Sequence, residues 1–142
     1  MTPINAEVLL AGPATQAPAL ALTAPISFWG GVDPKTGVIA DARHPQFGQS
    51  IAGRALLVPA TVGSSSAAAI LLELVHAHLS PAAIILHEPD AILLLGLIVA
   101  KEMGWQTPIA LRLDRARFAA LDGGELEISD AGVISRRYFP PS

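Results

Sequence analysis

Three consecutive serines, Ser64, Ser65 and Ser66, follow Gly63 at the junction between an apolar strand-like run and a helical pattern. This arrangement aims backbone N–H groups and the positive end of a helix dipole at whatever lies above the loop, which favours a carboxylate or an alkoxide. Gly63 lets the backbone come close. Serine is also a favoured helix N-cap, so the alternative is that these residues only satisfy free N–H groups. Spacing alone leaves both interpretations open.

A second segment combines Ser27 with an aromatic pair, Phe28 and Trp29, that runs into Gly30 and Gly31. The two glycines permit a positive φ or a close backbone approach. The aromatic side chains are typical of core or interface positions more than of substrate contacts. From its residues alone, the segment is predicted to be a loop.

The residue types that usually ligate metals are poorly placed to form a metal site in this chain. His76 and His78 are two positions apart on one predicted helix, so they face different sides and cannot chelate together. We expect His44 and His87 to make hydrogen bonds either at the surface or to residues that themselves line a functional site. The chain has no cysteine, which excludes a disulfide and any thiolate-bound zinc or iron–sulfur cluster made by this chain alone. We therefore predict no metal ligand here.

Short strands and helices alternate around these motifs. Apolar runs bounded by proline and glycine predict strands at residues 6–10, 19–22, 38–40 and 55–58. The second half predicts a helix over 65–78, a strand over 82–86, a helix over 91–102, a strand over 109–111, a short helix through 121, and a hairpin of 125–128 with 133–137. The expected fold class is α/β, a β/β/α sandwich or half-barrel whose mixed sheet has crossover helices.

Composition limits the class of protein. A length of 142 residues predicts one domain, over residues 1–142, and the 51% hydrophobic content indicates either a partner interface or an alanine-rich helical core. The net charge of −3 argues against nucleic acid as a partner. Charged and proline residues at 87–90 interrupt the most apolar stretch, which argues against a membrane span, and the N-terminus lacks a secretory signal pattern. We expect a soluble, cytoplasmic protein.

Several motifs occur in a specific order along residues 6–111. They are SFWGGVDPKTG at 27–37, HP at 44–45, GQSIAG at 48–53, GSSS at 63–66, PAAII at 81–85 and EPD at 88–90. With this order and spacing, the chain resembles the swivel domain of the aconitase X family. The resemblance implies a swivelling β/β/α domain that forms the small subunit of a hydro-lyase, and a large partner subunit that holds an iron–sulfur cluster.

The resemblance also implies roles for individual residues. The serine directly after the loop glycine, Ser64, would be the proton acceptor. Gly63, Ser65 and Ser66 would bind substrate or donate hydrogen bonds at the helix start, and Ser27, Gly30 and Gly31 would flank the site.

Dehydration of a β-hydroxy acid needs a base for the proton next to the carboxylate and a Lewis acid for the departing hydroxide. The Lewis acid would be the partner's iron. A serine hydroxyl acts as a base only if N–H donors, a helix N-terminus or a cation stabilise its alkoxide. The chain has no Lys or Arg between Arg54 and Lys101, so the cation would come from the partner or from Arg54 folding back.

Two substrates and two other classes of protein remain open. Relatives that act on phosphomevalonate often carry basic residues before the loop glycine, where this chain has Ala60, Thr61 and Val62. A neutral loop suits a phosphate poorly, so the resemblance favours cis-3-hydroxy-L-proline. A phosphocarrier swivel domain would need a histidine on a Thr/Gly-rich loop. A non-catalytic binding module would make Ser64 dispensable.

Overall fold

The computed structural model describes residues 2–63 and 65–137. The strands of this part are β1 (Ile4–Asn5), β2 (Glu7–Leu10), β3 (Thr15–Ala21), β4 (Ala55–Val58), β5 (Ala83–Leu86), β6 (Ile109–Arg112), β7 (Glu125–Ile128) and β8 (Val133–Arg136). The helices are the kinked turn α1 (Phe28–Gly31), α2 (Ser66–His76), α3 (Ala91–Glu102) and α4 (Phe118–Leu121), the last preceded by a 3₁₀ turn at Arg115–Arg117.

All eight strands belong to one sheet with the order β1-β8-β7-β3-β4-β5-β6-β2. The four central strands, β3 to β6, are parallel, and the remaining pairs are antiparallel. The consecutive strands β1 and β2 pair with β8 and β6 at the two ends of the sheet, and between them Ala6 N donates to Gly132 O at 2.9 Å. The sheet therefore nearly closes into a barrel, which confirms the predicted α/β class with a mixed sheet and crossover helices.

Strand alternation divides the apolar residues between two cores. In β4, Ala55 and Leu57 face the barrel interior, which α4 covers with Phe118 and Leu121. Leu56 and Val58 of the same strand face the other core, beneath α2 and α3. Because both faces of the parallel strands are buried, the loops that follow them at their carboxyl ends stand on a rigid base.

The structure corrects two of the predicted elements. Residues 38–40 are not a strand of the sheet: Val38 and Ile39 form isolated bridges with Ser50 and Val32. The helix predicted over 65–78 ends at His76, because the chain turns there and His78 adopts a φ of 60°. The predicted hairpin is confirmed by the pairing of β7 with β8.

Asp114 begins the 3₁₀ turn as a helix cap. Its Oδ1 accepts from Ala116 N at 2.9 Å. This backbone hydrogen bond lowers the pKa of the Asp114 carboxyl below its ordinary value. Within residues 2–63 and 65–137, none of the helices has the length and apolarity needed to span a bilayer.

Gly96 permits the close approach of α3 to α2. A Cβ added at this position would lie 2.4 Å from the Ala68 carbonyl oxygen, a backbone atom that cannot rotate away. We expect Gly96→Ala to lower the free energy of unfolding by about 2 kcal/mol, since overpacking outweighs alanine's better helix propensity. Chemical denaturation measures this change. Leu95→Ala, at the exposed neighbouring position, is the control and should cost less, and equal midpoints for the two variants would contradict the prediction.

Candidate functional site

The loop between β4 and α2 carries the predicted catalytic serine. Ser64 itself lies outside the described residues, so its two neighbours describe the loop. Gly63 is exposed and has a φ of 139°, a conformation that side chains with a Cβ rarely adopt. Ser65 is also exposed. The loop therefore reaches the protein surface on both sides of position 64.

At the start of the helix that follows, Ser65 does not make the capping hydrogen bond that serine usually supplies. Ser65 occupies the N-cap position of α2 with φ −56° and ψ −21°, and its side chain makes no capping hydrogen bond. Ser66 is the first residue of the helix. The interpretation of Ser65 as a capping residue is therefore wrong, because an αR backbone at the N-cap does not present the side chain as the usual extended one does.

The second predicted segment lies directly against this loop. Ile26 N donates to Ala60 O at 3.1 Å, and Val62 N donates back to Ile26 O at 2.9 Å. A Cβ added at Gly63 would lie 3.2 Å from Ser27 Oγ. The structure thus brings Ser27 and Gly63 together, although they are 36 positions apart in the chain.

The turn α1 separates the two aromatic side chains. Phe28 is buried in the core, whereas Trp29 is 63% exposed. Ser27 Oγ donates to Trp29 O at 2.8 Å, which fixes the entry to the turn, and Gly30 takes a φ of 82°. Gly30 is exposed and Gly31 is buried. Of the two predicted glycines, Gly30 is therefore the one whose backbone faces solvent.

Asp90 ties the serine loop to α3, a contact that the sequence did not reveal. Its Oδ1 caps α3 by accepting from Ile92 N and Leu93 N at 3.0 Å each. Its Oδ2 accepts from Thr61 Oγ1 at 2.6 Å. The sequence signals the cap through the Pro-Asp pair before an apolar run, but nothing in it connects Asp90 with a residue 29 positions earlier.

Arg54 cannot serve as the alkoxide's cation in this structure. Its guanidinium donates to the carbonyl oxygens of Pro18 and Ala19, at 3.2 and 3.1 Å. Arg54 directly precedes β4, whereas Gly63 follows that strand, so the two lie toward opposite ends of it. The expectation that Arg54 folds back toward Ser64 is wrong, because its guanidinium is held by β3 at the amino end of β4.

The histidines have structural contacts. His44 is buried, which excludes the surface alternative for this residue: its Nδ1 accepts from Gln46 N at 3.0 Å and its Nε2 lies 3.2 Å from Ala24 O. His87 Nδ1 accepts from Arg115 N at 2.9 Å. His76 stacks on Trp105 with ring centroids 4.6 Å apart.

Across residues 2–63 and 65–137, no three His, Cys, Asp or Glu side chains group together as a metal site. The chain also contains no cysteine. An iron–sulfur cluster needs several ligands, most often thiolates, so the residues of this chain do not fit one.

A cavity of about 470 Å³ lies away from the serine loop. Its lining includes Thr15, Ala82 and Pro108, which stand at or before the amino ends of β3, β5 and β6. In a parallel sheet, ligands usually bind at the carboxyl ends of the strands, where Gly63 lies. The geometry therefore favours the serine loop as the functional site.

The aconitase X swivel domain is the family whose model matches this chain, over residues 3–135. A cis-3-hydroxy-L-proline dehydratase of Pseudomonas aeruginosa is 44% identical over 110 residues, which cover 72% of this chain and 19% of that protein. A phosphomevalonate dehydratase small subunit of Thermococcus kodakarensis is 34% identical over 116 residues, covering 76% of this chain and 83% of the relative.

Among solved structures, a crystal structure of Thermococcus kodakaraensis aconitase X in its holo-form superimposes with a TM-score of 0.84 at 25% identity. The match covers 97% of this chain and 100% of that one. The chain spans about a fifth of the length of the cis-3-hydroxy-L-proline dehydratases that it matches.

Proposed function

Because this chain belongs to the aconitase X swivel domain family, we propose that it is the small subunit of a cytoplasmic hydro-lyase that dehydrates cis-3-hydroxy-L-proline. In this proposal residues 1–142 act as one swivel domain, and a large subunit of the same family holds the iron–sulfur cluster that the resemblance implies. The observation that carries the proposal is the exposed Gly63 loop before α2, in a chain 44% identical to a protein with this activity.

Ser64 is the proposed proton acceptor. It would take the proton from the carbon next to the substrate carboxylate, and the N–H groups at the start of α2 would stabilise the alkoxide that accepts it. Gly63, Ser65 and Ser66 would bind the substrate beside it, and Ser27 with the Gly30-Gly31 turn would form the adjacent wall. The exposure of Gly63 and Ser65 supports this role, because a proton acceptor must be reachable from outside the core.

The charge around the loop supports the hydroxyproline substrate over a phosphorylated one. Ala60, Thr61 and Val62 are uncharged, and the carboxylate in contact with Thr61 belongs to Asp90. A phosphate with about two negative charges would be repelled by this carboxylate. A zwitterionic amino acid meets less repulsion, since its ammonium group is compatible with a nearby carboxylate.

Phosphomevalonate is the second candidate substrate. It is favoured by sequence similarity, because the Thermococcus kodakarensis phosphomevalonate dehydratase small subunit is 34% identical to this chain over 116 residues. The repulsive carboxylate of Asp90 argues the other way, although the large subunit would also contribute charges. We therefore keep phosphomevalonate as the alternative that the experiment must exclude.

The outward face of α3 is available to the proposed partner. Its exposed large apolar side chains are Ile92, Leu95, Ile98 and Val99, and the exposed Met103 at its C-cap extends this surface. Ile92 lies two positions after Asp90, which binds the serine loop, so a subunit that covers this loop would also reach the start of α3. An exposed apolar face of this kind supports the partner interface as the explanation of the 51% hydrophobic content.

The proposed function is tested by co-expressing the chain with an aconitase X large subunit from the same genome. We expect a complex that dehydrates cis-3-hydroxy-L-proline with a kcat/KM about a hundredfold above that for 5-phosphomevalonate, because the loop discriminates by charge. Steady-state assays on both substrates measure the ratio. A ratio inverted in favour of phosphomevalonate would support the second candidate, and a chain that joins no large subunit would contradict the heteromeric hydro-lyase.

A further inference from the structure

Thr61 and Asp90 form a side-chain contact that holds the serine loop to the start of α3. The Thr61 hydroxyl donates to Asp90 Oδ2 at 2.6 Å, within the short range of hydrogen bonds to an ionised carboxylate. Both side chains are partly buried. The bond joins the loop after β4 to the loop after β5, which are neighbouring parallel strands.

Asp90 is itself fixed in place. Its second oxygen accepts from Ile92 N and Leu93 N, so the carboxylate is bound to the first turn of α3. That helix is anchored by Leu93 and Leu97, which are fully buried. Movement of the carboxylate would therefore disturb the packing of α3.

The other side of the loop is held by backbone contacts. Ile26 exchanges hydrogen bonds with Ala60 and Val62, on either side of Thr61. Val62 and Gly63 follow, and neither has a polar side chain. Thr61 is therefore the last polar side chain before Ser64, and its bond to Asp90 is the final side-chain anchor on that side.

We propose that Thr61 and Asp90 are positioning residues, which set the location of Ser64 through the Thr61–Asp90 hydrogen bond without touching substrate. This inference rests on the proposed function of Ser64. A displaced base loses rate steeply, since an error of about 1 Å in placement costs up to about a hundredfold. The contact thus affects the chemical step more than substrate affinity.

The test uses Thr61→Val, which keeps the shape of the side chain and removes the hydroxyl, in the complex with the large subunit. We expect kcat on cis-3-hydroxy-L-proline to fall about tenfold with KM within about twofold of wild type. Thr61→Ser, which retains the donor, should restore kcat. The matched control is Thr36→Val, in an exposed turn where the hydroxyl accepts only from Val38 N at 3.3 Å.

Amide hydrogen exchange on the same complexes measures the anchor independently of activity. Thr61→Val should raise the exchange rate of the Val62 amide, whose hydrogen bond to Ile26 O lies directly beside Thr61, about tenfold and leave those of α3 unchanged. Unchanged exchange, or faster exchange with an unchanged kcat, would overturn the positioning role. A wild-type complex that is inactive although its loop is protected would overturn the proposed function instead, so the two failures are distinguishable.

Discussion

A Ser64→Ala variant should lose turnover by about a thousandfold while the chain stays folded and bound to its partner, since general acid–base groups contribute about 10² to 10⁴ in rate. Alanine at this position leaves the N–H groups of the α2 start in place but offers them no alkoxide. Steady-state dehydration of cis-3-hydroxy-L-proline by the purified complex measures the loss, and size-exclusion chromatography checks that the complex is intact.

Ser65→Ala is the matched control for this experiment. Ser65 is exposed and makes no capping hydrogen bond, so its hydroxyl can be removed without weakening the start of α2. We expect its turnover to stay within about tenfold of wild type, because it would contribute at most a hydrogen bond to substrate. If the turnover of Ser64→Ala also stayed within about tenfold of wild type, the chain would be better described as a non-catalytic binding module.

The sequence predicts the central strands and long helices because their patterns are strong. The apolar runs at residues 55–58, 82–86 and 109–111 become buried parallel strands, with bounds within one residue of those observed. The strand predicted at 19–22 begins earlier, at Thr15, since its first half pairs with β7 and alternates buried with exposed positions. Local patterns thus identified the sheet but not its closure, which depends on β1 and β2 reaching opposite ends.

The serine-loop site was partly predictable, because some of its features are local patterns in the sequence and others depend on long-range packing. Gly63 and the start of α2 follow from the order of strand, glycine and serines. The contact of Ser27 with Gly63 and the bond of Thr61 to Asp90 join residues that are distant in the chain, and only the packing of neighbouring strands brings them together. For Arg54 the sequence misled in the other direction. Its closeness to Ser64 in the chain suggested a contact, but strand β4 separates the two residues and the guanidinium is bound to Pro18 and Ala19.

The position of Asp90 connects the stability of the fold with the proposed selectivity. One carboxylate oxygen satisfies two N–H groups of α3, and the other holds the serine loop. Its charge therefore stays beside the loop whichever substrate is offered. A family member that binds a phosphate would need to offset this charge with basic residues nearby, and the segment Ala60–Val62 supplies none.

Gly63→Ala should reduce turnover about a hundredfold without unfolding the chain. At φ 139° an alanine is strained, so the backbone relaxes away from this conformation, and the Ser27 hydroxyl, 3.2 Å from the added Cβ, must also give by a few tenths of an ångström. The shift falls on the residue directly before Ser64, and misplacing a catalytic group by about 1 Å costs about 10² in rate. Steady-state kinetics of the complex measure the change in kcat, with thermal unfolding as the check on stability.

Gly53→Ala is the control, because it places an alanine at a positive φ without disturbing the site. Gly53 has a φ of 69°, and a Cβ there would have nothing within 4 Å. It precedes β4, at the opposite end of the strand from the serine loop. A left-handed alanine costs about 1 kcal/mol of stability, so Gly53→Ala should lower the unfolding temperature and leave kcat unchanged. Equal losses of kcat in both variants would mean that backbone strain in general, and not displacement of Ser64, limits the enzyme.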